Sequence, residues 1–205
     1  MEEFELKARL EEGPEPLRQR LEAAGWRLCF RGEMRDRRFD TPGGELERRD
    51  EVLRLRSYLP EEGPARDLVS WKGPAREVDG FKLREELETR VERGGKAREI
   101  LARLGFPSVS LAIDRRVEVY EKEGVQVRIE EYPRMDRLVE IEGAPAQVEE
   151  RLVDLGLPRE AWRPWPLSEF VARFEARTGR RARLCRPVAA ERAPPDSGSP
   201  SRSEE

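Results

Sequence analysis

Apolar and polar residues alternate one by one in several short segments of the chain, and this pattern predicts β-strands. Successive side chains of a strand point to opposite faces of a sheet, so alternation gives one apolar face and one polar face. The alternating segments are residues 3–7, 52–57, 68–72, 80–88, 111–120, 125–131 and 138–142. A weaker version of the pattern over residues 27–40 predicts one further strand.

Apolar residues at helical spacing predict four helices among these strands. A glycine follows each of them, and glycine readily takes the left-handed conformation that often ends a helix. The predicted helices are residues 14–24, 96–104, 146–155 and 168–178, followed by Gly25, Gly105, Gly156 and Gly179. This mixture predicts an α+β domain with a mainly antiparallel sheet. Residues 187–205 are rich in proline, serine and charge, and they predict a disordered tail.

The composition excludes several functions. Charged residues make up 40% of the chain, yet the formal net charge is only -3, which argues against a nucleic-acid partner. The chain has no histidine, which excludes histidine-based triads and histidine-ligated zinc. It has two cysteines and no apolar run of the roughly 20 residues that a membrane span requires, which predicts a cytoplasmic protein without a membrane partner.

The polar faces of the predicted strands carry long ionic side chains, including neighbouring carboxylates. These faces comprise Glu3, Glu5, Lys7, Arg54, Arg56, Ser70, Lys72, Lys82, Arg84, Glu86, Glu88, Arg116, Glu118, Gln126, Arg128, Glu130, Glu140 and Glu142. A sheet with one solvent-exposed face would account for them. A closed barrel with its helices outside would instead turn them into a charged interior, where the carboxylates need a cation and the basic groups need an anion. A metal-bound triphosphate would supply both.

The order of the motifs resembles that of the CYTH superfamily, the triphosphate tunnel metalloenzymes. The segment EFELK (3–7) is similar to the E-x-E-x-K signature of that superfamily. It is followed by RFDTPGGELERRDEVLRLR (38–56), SWKGP (70–74), FKLREELE (81–88), IDRRVEVY (113–120), VQVRIEE (125–131) and LVEIEG (138–143). Within the superfamily, the FDTP, LRLR, WKGP and REELE segments are most similar to class IV adenylate cyclases.

The resemblance implies an α+β fold in which an eight-stranded closed antiparallel β-barrel, the triphosphate tunnel, carries its helices outside. This domain would span residues 1–180, with the tail at 187–205 outside it. The resemblance also implies a magnesium or manganese cofactor and a small-molecule triphosphate, ATP or tripolyphosphate, as the ligand. A homodimer would be in keeping with it.

The resemblance further assigns roles to residues of the ionic faces. Metal binding falls to Glu3, Glu5 and Glu140 or Glu142, with Glu86 and Glu88 as candidate ligands of a second site. Phosphate binding falls to Lys7, Arg54, Arg56, Lys72, Arg84, Arg116 and Arg128. The candidate catalytic residues are Glu5, Lys72 and Glu130.

Two positions depart from the cyclase pattern. Asp114 stands where the pattern favours lysine, and we expect it to remove a positive charge from the tunnel face. Arg38 stands in place of an aromatic residue before FDTP.

The predicted activity is conversion of ATP to cyclic AMP and pyrophosphate. The alternatives are a triphosphatase that hydrolyses inorganic tripolyphosphate, thiamine triphosphate or a nucleoside triphosphate, and a non-catalytic module that binds polyphosphate or nucleotide.

Overall fold

The computed structural model describes residues 2–186, without the side chains of Glu2, Glu3 and Ser108. Its strands are β1 (Glu2–Leu10), β2 (Arg27–Asp40), β3 (Val52–Pro60), β4 (Arg66–Lys72), β5 (Arg76–Val78), β6 (Phe81–Val91), β7 (Ser108–Lys122), β8 (Val125–Glu131) and β9 (Arg137–Glu142). Its helices are α1 (Glu15–Ala23), α2 (Glu45–Arg48), α3 (Gly94–Arg103), α4 (Pro145–Leu155) and α5 (Leu167–Thr178), with a 3-10 turn at Arg159–Ala161. No helix in this part of the chain is long and apolar enough to cross a membrane. The tail predicted at residues 187–205 lies outside the described residues.

Eight of the strands close into an antiparallel barrel, as predicted. Their order is β1-β9-β8-β7-β2-β3-β4-β6, and pairing of β1 with β6 completes the ring. Glu5 illustrates the closure, because it is aligned with Glu142 of β9 on one side and with Lys82 of β6 on the other. The short strand β5 is additional and pairs with β6 beside β4. The helices lie outside the barrel, which confirms the α+β fold class.

Helices α1 and α4 cover the apolar outer faces of β1, β8 and β9. On β1, Leu6 and Ala8 are fully buried, and they belong to the same core cluster as Leu21 of α1 and Val148 of α4. Burying one such aliphatic side chain contributes roughly 1.5–3 kcal/mol, so this apolar contact fixes which face of each strand points outward. The ionic face is therefore directed into the barrel interior, hereafter the lumen.

One part of the lumen is filled by apolar side chains, hereafter the apolar plug. It consists of Phe30, Met34, Tyr58, Val117 and Val119, with Leu68 packed against them. Met34 lies on the same face of β2 as Asp36, and Val117 lies on the same face of β7 as Arg115. The lumen is thus ionic only over the remainder of its length.

The chain beyond α4 returns to the barrel and borders one of its openings. Arg163 forms two backbone hydrogen bonds with Lys7 of β1, of 2.8 and 2.9 Å. Helix α5 follows, and the last described residues then run beside β7, where the Leu184 carbonyl accepts a hydrogen bond from the Asp114 amide at 2.7 Å. Helix α5 and Leu184 therefore lie at the same opening of the lumen.

Candidate functional site

The lumen holds a cavity of about 540 Å³, hereafter the first cavity, whose walls carry charged side chains from all eight barrel strands. These side chains are Glu5 and Lys7 of β1, Asp36 and Arg38 of β2, Arg54 and Arg56 of β3, Lys72 of β4, Lys82 and Arg84 of β6, Arg115 of β7, Arg128 and Glu130 of β8, and Glu140 of β9. The charged faces of the strands therefore converge on one interior space. The protein around this space has a lower dielectric constant than bulk water, so the charges act on one another more strongly than they would at a surface.

A second cavity, of about 880 Å³, opens at another part of the lumen. Its walls include Glu86, Glu88, Gln126 and Glu142. It shares four basic residues with the first cavity, namely Arg54, Arg56, Lys72 and Arg128. The two cavities meet at these four residues, so the most concentrated positive charge lies inside the barrel and not at its rim.

Strand register places opposite charges directly across from one another at many points of the lumen. Lys7 is aligned with Glu140, and Glu140 is aligned in turn with Arg128. Lys72 is aligned with Glu86, and their side chains pair at 2.7 Å. Cross-strand ion pairs of this kind stabilise a sheet, whereas like charges directly opposite destabilise it.

Two carboxylates on neighbouring strands share one ammonium group. The Nζ atom of Lys7 lies 2.9 Å from Oε1 of Glu5 and also pairs with Glu140. Burial alone would raise the pKa of Glu5, but the positive charges of Lys7, Lys82 and Lys72 hold it well below its ordinary value. Burial alone would lower the pKa of Lys7, but Glu140 and Glu5 raise it. Glu5 and Lys7 are therefore both ionised at neutral pH.

These carboxylates fit a hard divalent cation. Mg²⁺ is usually held by one or two protein carboxylates, with water and substrate phosphates completing its coordination. The shared Lys7 ammonium demonstrates that Glu5 and Glu140 are close enough to bind a single positive charge. Among the side chains that the structure describes, no three carboxylates or thiols form a metal-binding group. The predicted ligand Glu3 lies on β1, but its side chain is outside the described set.

Asp36 is the centre of a second buried network that the sequence did not predict. Its carboxylate accepts two hydrogen bonds from Arg56, of 2.7 and 2.9 Å, and a third from Arg115 at 3.1 Å. Arg115 also donates to Glu130 at 2.7 Å, and the other oxygen of Glu130 accepts from Tyr132 at 2.6 Å. Burial would raise the pKa of Asp36, but Arg56 and Arg115 hold it well below its usual range.

The remaining predicted residues also border the lumen. Arg54 donates to Ser70 at 3.0 Å and to Glu86 at 3.1 Å, and its Nη2 atom lies 3.7 Å from Glu88. Arg128 pairs with Glu140 and, at 3.4 Å, with Glu142. Glu86, Glu88 and Glu142 line the second cavity, and Glu142 is also the neighbour of Glu5 across β1 and β9. Arg84 lies at the first cavity and pairs with Asp50 at 2.5 Å.

The placement predicted for Arg116 is wrong. Its side chain is about half exposed on the outside of the barrel, where it pairs with Glu61. Glu118, predicted on the same ionic face, also points outward and accepts hydrogen bonds of 2.9 and 2.6 Å from Arg18 of α1. The neighbour Arg115 occupies the lumen instead. The reason is the apolar plug, because Val117 and Val119 face inward and thereby reverse the rule that ionic residues point into the barrel.

The effect expected of Asp114 is wrong for the same reason. Asp114 points away from the tunnel face and pairs with Arg37 at 2.7 Å. Its carboxylate also accepts a hydrogen bond of 3.1 Å from the backbone amide of Arg186. Asp114 therefore removes no positive charge from the lumen, and its contacts are with the chain segment that borders the first cavity.

Comparison with known proteins agrees with the barrel fold. Residues 1–146 match the CYTH domain family. A protein described as a putative adenylate cyclase of Methanocaldococcus jannaschii is 28% identical over 152 residues, covering 74% of this chain and 82% of that protein.

Two solved structures have the same fold. One is a putative adenylate cyclase from Vibrio parahaemolyticus, with a TM-score of 0.69, 19% identity and coverage of 83% of this chain and 97% of that chain. The other is a putative adenylyl cyclase from Hippeastrum, with a TM-score of 0.56, 19% identity and coverage of 85% of this chain and 95% of that chain. Because the family match spans most of its length, this chain is a member of the CYTH domain family.

Proposed function

We propose that the protein is an enzyme that binds a triphosphate and a divalent cation in the lumen, and that it converts ATP to cyclic AMP and pyrophosphate. One observation carries the proposal. Arg54, Arg56, Lys72 and Arg128 surround the junction of the two cavities, with carboxylates on either side of them. A chain of phosphate groups accompanied by a cation has the charge pattern that such a lumen would bind most tightly.

The electrostatics of the lumen support an anionic ligand. Burial and the nearby charge of Arg56 lower the pKa of Arg54, although Asp36 and Glu86 oppose this effect. A buried guanidinium that lacks full compensation is stabilised when an anion binds beside it. Arg84, at the first cavity, has a buried Nε atom without a hydrogen-bond partner in the described structure. Phosphate oxygens would satisfy such donors.

Glu5 and Glu140 are the residues that we expect to hold Mg²⁺ or Mn²⁺, together with Glu3 and with Glu142 as the alternative to Glu140. When bound, the cation would neutralise phosphate charge and act as a Lewis acid. The low pKa of Glu5 keeps it ionised, as a cation ligand must be. Glu86 and Glu88 stay candidates for a second site at the second cavity.

The first cavity also has an apolar wall, and this wall favours an organic triphosphate. Its apolar residues include Leu111 of β7, Leu167 and Val171 of α5, and Leu184. A nucleoside would find apolar contact there, whereas inorganic tripolyphosphate has no apolar group to place. This is the observation that puts ATP cyclisation ahead of hydrolysis of an inorganic substrate.

In this proposal the chain mainly positions and neutralises its substrate. Arg54, Arg56, Lys72 and Arg84 would hold the β- and γ-phosphates, which depart together as pyrophosphate. The ribose 3′-oxygen would form a bond to the α-phosphorus as the bond from that phosphorus to the β-phosphate oxygen breaks, and the 3′-hydroxyl proton is released. Glu130 has both oxygens bonded, to Arg115 and to Tyr132, so we assign it to positioning Arg115 and not to proton transfer.

Hydrolysis of the triphosphate is the second candidate. The structure from Hippeastrum is described as that of a putative adenylyl cyclase with a dominant triphosphatase activity. The same lumen could support either reaction. In hydrolysis, water would attack the γ-phosphorus, whereas in cyclisation the ribose 3′-hydroxyl would attack the α-phosphorus. The predictions of a cytoplasmic location, a homodimer, and no nucleic-acid or membrane partner stay predictions.

One incubation separates these functions. The purified chain is mixed with ATP and Mg²⁺ or Mn²⁺, and the products are resolved by chromatography, with a chelator as the control. We expect cyclic AMP and pyrophosphate. ADP and phosphate would instead support a triphosphatase, and parallel incubations with tripolyphosphate and thiamine triphosphate would identify its substrate. Unchanged ATP that nevertheless binds in a calorimetric titration would support a non-catalytic module, and no binding of any triphosphate would contradict the proposal.

A further inference from the structure

Arg38 occupies the lumen on the face of β2 that also carries Asp36. It borders the first cavity, and its direct neighbour across the sheet is Arg54 of β3. Like charges directly opposite one another destabilise a sheet. Other basic residues of the lumen are aligned with carboxylates, as in Lys7 with Glu140 and Arg56 with Asp36. The pairing of Arg38 with Arg54 therefore leaves an excess of positive charge at this point.

Among the side chains that the structure describes, none forms an ion pair with the Arg38 guanidinium. Its Nε atom is buried and donates no hydrogen bond, and its side chain forms no ion pair with a described residue. The other lumen arginines differ in this respect, because Arg54 pairs with Glu86, Arg56 with Asp36, and Arg128 with Glu140. An uncompensated charge that is partly buried is costly, so a ligand-free lumen is less stable with Arg38 than it would be with a neutral side chain.

The protonation behaviour of Arg38 agrees with this excess of charge. Burial, followed by the repulsion from Arg54, lowers the pKa of Arg38 to about 10, and the attraction of Asp36 opposes this only in part. The side chain still carries its charge at neutral pH. An anion that binds beside the charged Arg38 guanidinium would therefore stabilise it.

We propose that Arg38 is an additional phosphate-binding residue, which contacts the phosphate group lying nearest the apolar wall of the first cavity. Arg38 is aligned with Leu111 of that wall on one side and with Arg54 on the other. It therefore lies between the apolar wall and the basic residues at the junction of the two cavities. For a nucleoside triphosphate this group is the α-phosphate, whose phosphorus reacts in cyclisation. The inference rests on the proposed function, because it places a triphosphate in the lumen. It adds a residue that the family resemblance did not supply, since an aromatic side chain was expected at this position.

The test uses Arg38→Gln in the full-length chain, with Arg35→Gln as the matched control. Arg35 lies on the same strand, but its side chain is 48% exposed and pairs with Glu33 at 2.9 Å on the outside of the barrel. Binding of ATP and of tripolyphosphate is measured by calorimetric titration, which requires no turnover. A hydrogen-bonded contact to a charged group corresponds to a loss of affinity of about 10- to 100-fold, which we expect for ATP with Arg38→Gln and not with Arg35→Gln.

A second measurement separates a ligand-binding role from a structural one. The melting temperature of ligand-free Arg38→Gln should equal or exceed that of the wild type, because the substitution removes an unpaired, half-buried charge. An affinity for ATP within twofold of the wild type, together with a lower melting temperature, would overturn the proposal and make Arg38 a structural residue. A wild-type chain that binds neither ATP nor tripolyphosphate would overturn the proposed function itself, so the two failures are distinguishable.

Discussion

Glu5→Gln is expected to lower the turnover of any triphosphate by at least about 100-fold, since loss of a mere supporting partner of a metal ligand already costs about 10- to 100-fold. Glu5 is buried, and burial alone would raise its pKa. The positive charges of Lys7 and Lys82 outweigh this effect and keep the pKa of Glu5 low. Glutamine preserves the shape of the side chain but has no negative charge to offer a cation. The measurement is kcat/KM at saturating Mg²⁺ or Mn²⁺, for whichever triphosphate the wild type converts.

The matched control is Glu11→Gln, which removes a carboxylate just beyond the end of β1. The side chain of Glu11 is 71% exposed and pairs with Arg9 on the outside of the barrel. We expect this variant to retain the wild-type rate. Circular dichroism of Glu5→Gln would establish that the barrel still forms, because the substitution leaves Lys82 without its carboxylate partner. A folded Glu5→Gln with the full wild-type rate would eliminate the metal site as proposed.

The inward and outward faces of most strands could be predicted from the sequence, because these strands obey one physical rule: the apolar face packs against the helices. Apolar residues such as Leu6, Val127 and Ile141 meet the helices outside, and the alternate residues are therefore directed inward. This rule puts Glu5, Arg54 and Glu140 on the ionic faces of their strands, and the family resemblance adds the closed barrel that brings them to one cavity. The closure of the sheet, by contrast, depends on pairing between β1 and β6, whose residues are far apart in the chain. Alternation within a single strand carries no information about that contact.

The rule fails on β2 and β7, and Asp36, Arg38 and Arg115 of the site lie on these two strands. In β2 the residues Arg35, Asp36, Arg37 and Arg38 are all charged, so no alternation reveals which of them face inward. In β7 the apolar residues Val117 and Val119 join the apolar plug, while Glu118 faces outward to Arg18. Arg115 and Tyr132 were missed for related reasons. The contacts that identify them, with Asp36 and Glu130, become evident only when β2, β7 and β8 are placed side by side.

Asp36→Asn is expected to destabilise the fold by about 3–5 kcal/mol, which is the cost of removing one partner from a buried ion pair. Asp36 is only 3% exposed and accepts hydrogen bonds from both Arg56 and Arg115. Asparagine would take the carboxylate partner away from Arg56 and would leave Arg115 with Glu130 alone. The free energy of unfolding, measured by urea denaturation at pH 7, tests the expectation.

The matched control for Asp36→Asn is Glu61→Gln, which removes the same charge from an exposed pair. The side chains of Glu61 and its partner Arg116 are 47% and 55% exposed. Pairs of this kind contribute about 0–1 kcal/mol, so we expect little change. Equal losses of unfolding free energy in the two variants would contradict the view that the buried ion pairs of Asp36 stabilise the fold more than an exposed pair does.

The difference in stability between the wild type and Asp36→Asn should also depend on pH. Because the pKa of Asp36 is lowered in the folded state, its charge stabilises the fold at every pH above the unfolded value of about 4. As the pH falls below that value, the unfolded wild type takes up a proton more readily than the folded wild type, and the advantage over Asp36→Asn shrinks. Plotted against pH, the free energies of unfolding of the wild type and of Asp36→Asn should therefore converge in acid and separate toward neutral pH. A constant separation from pH 7 to pH 3 would mean that Asp36 stabilises the barrel through its shape and not through its charge.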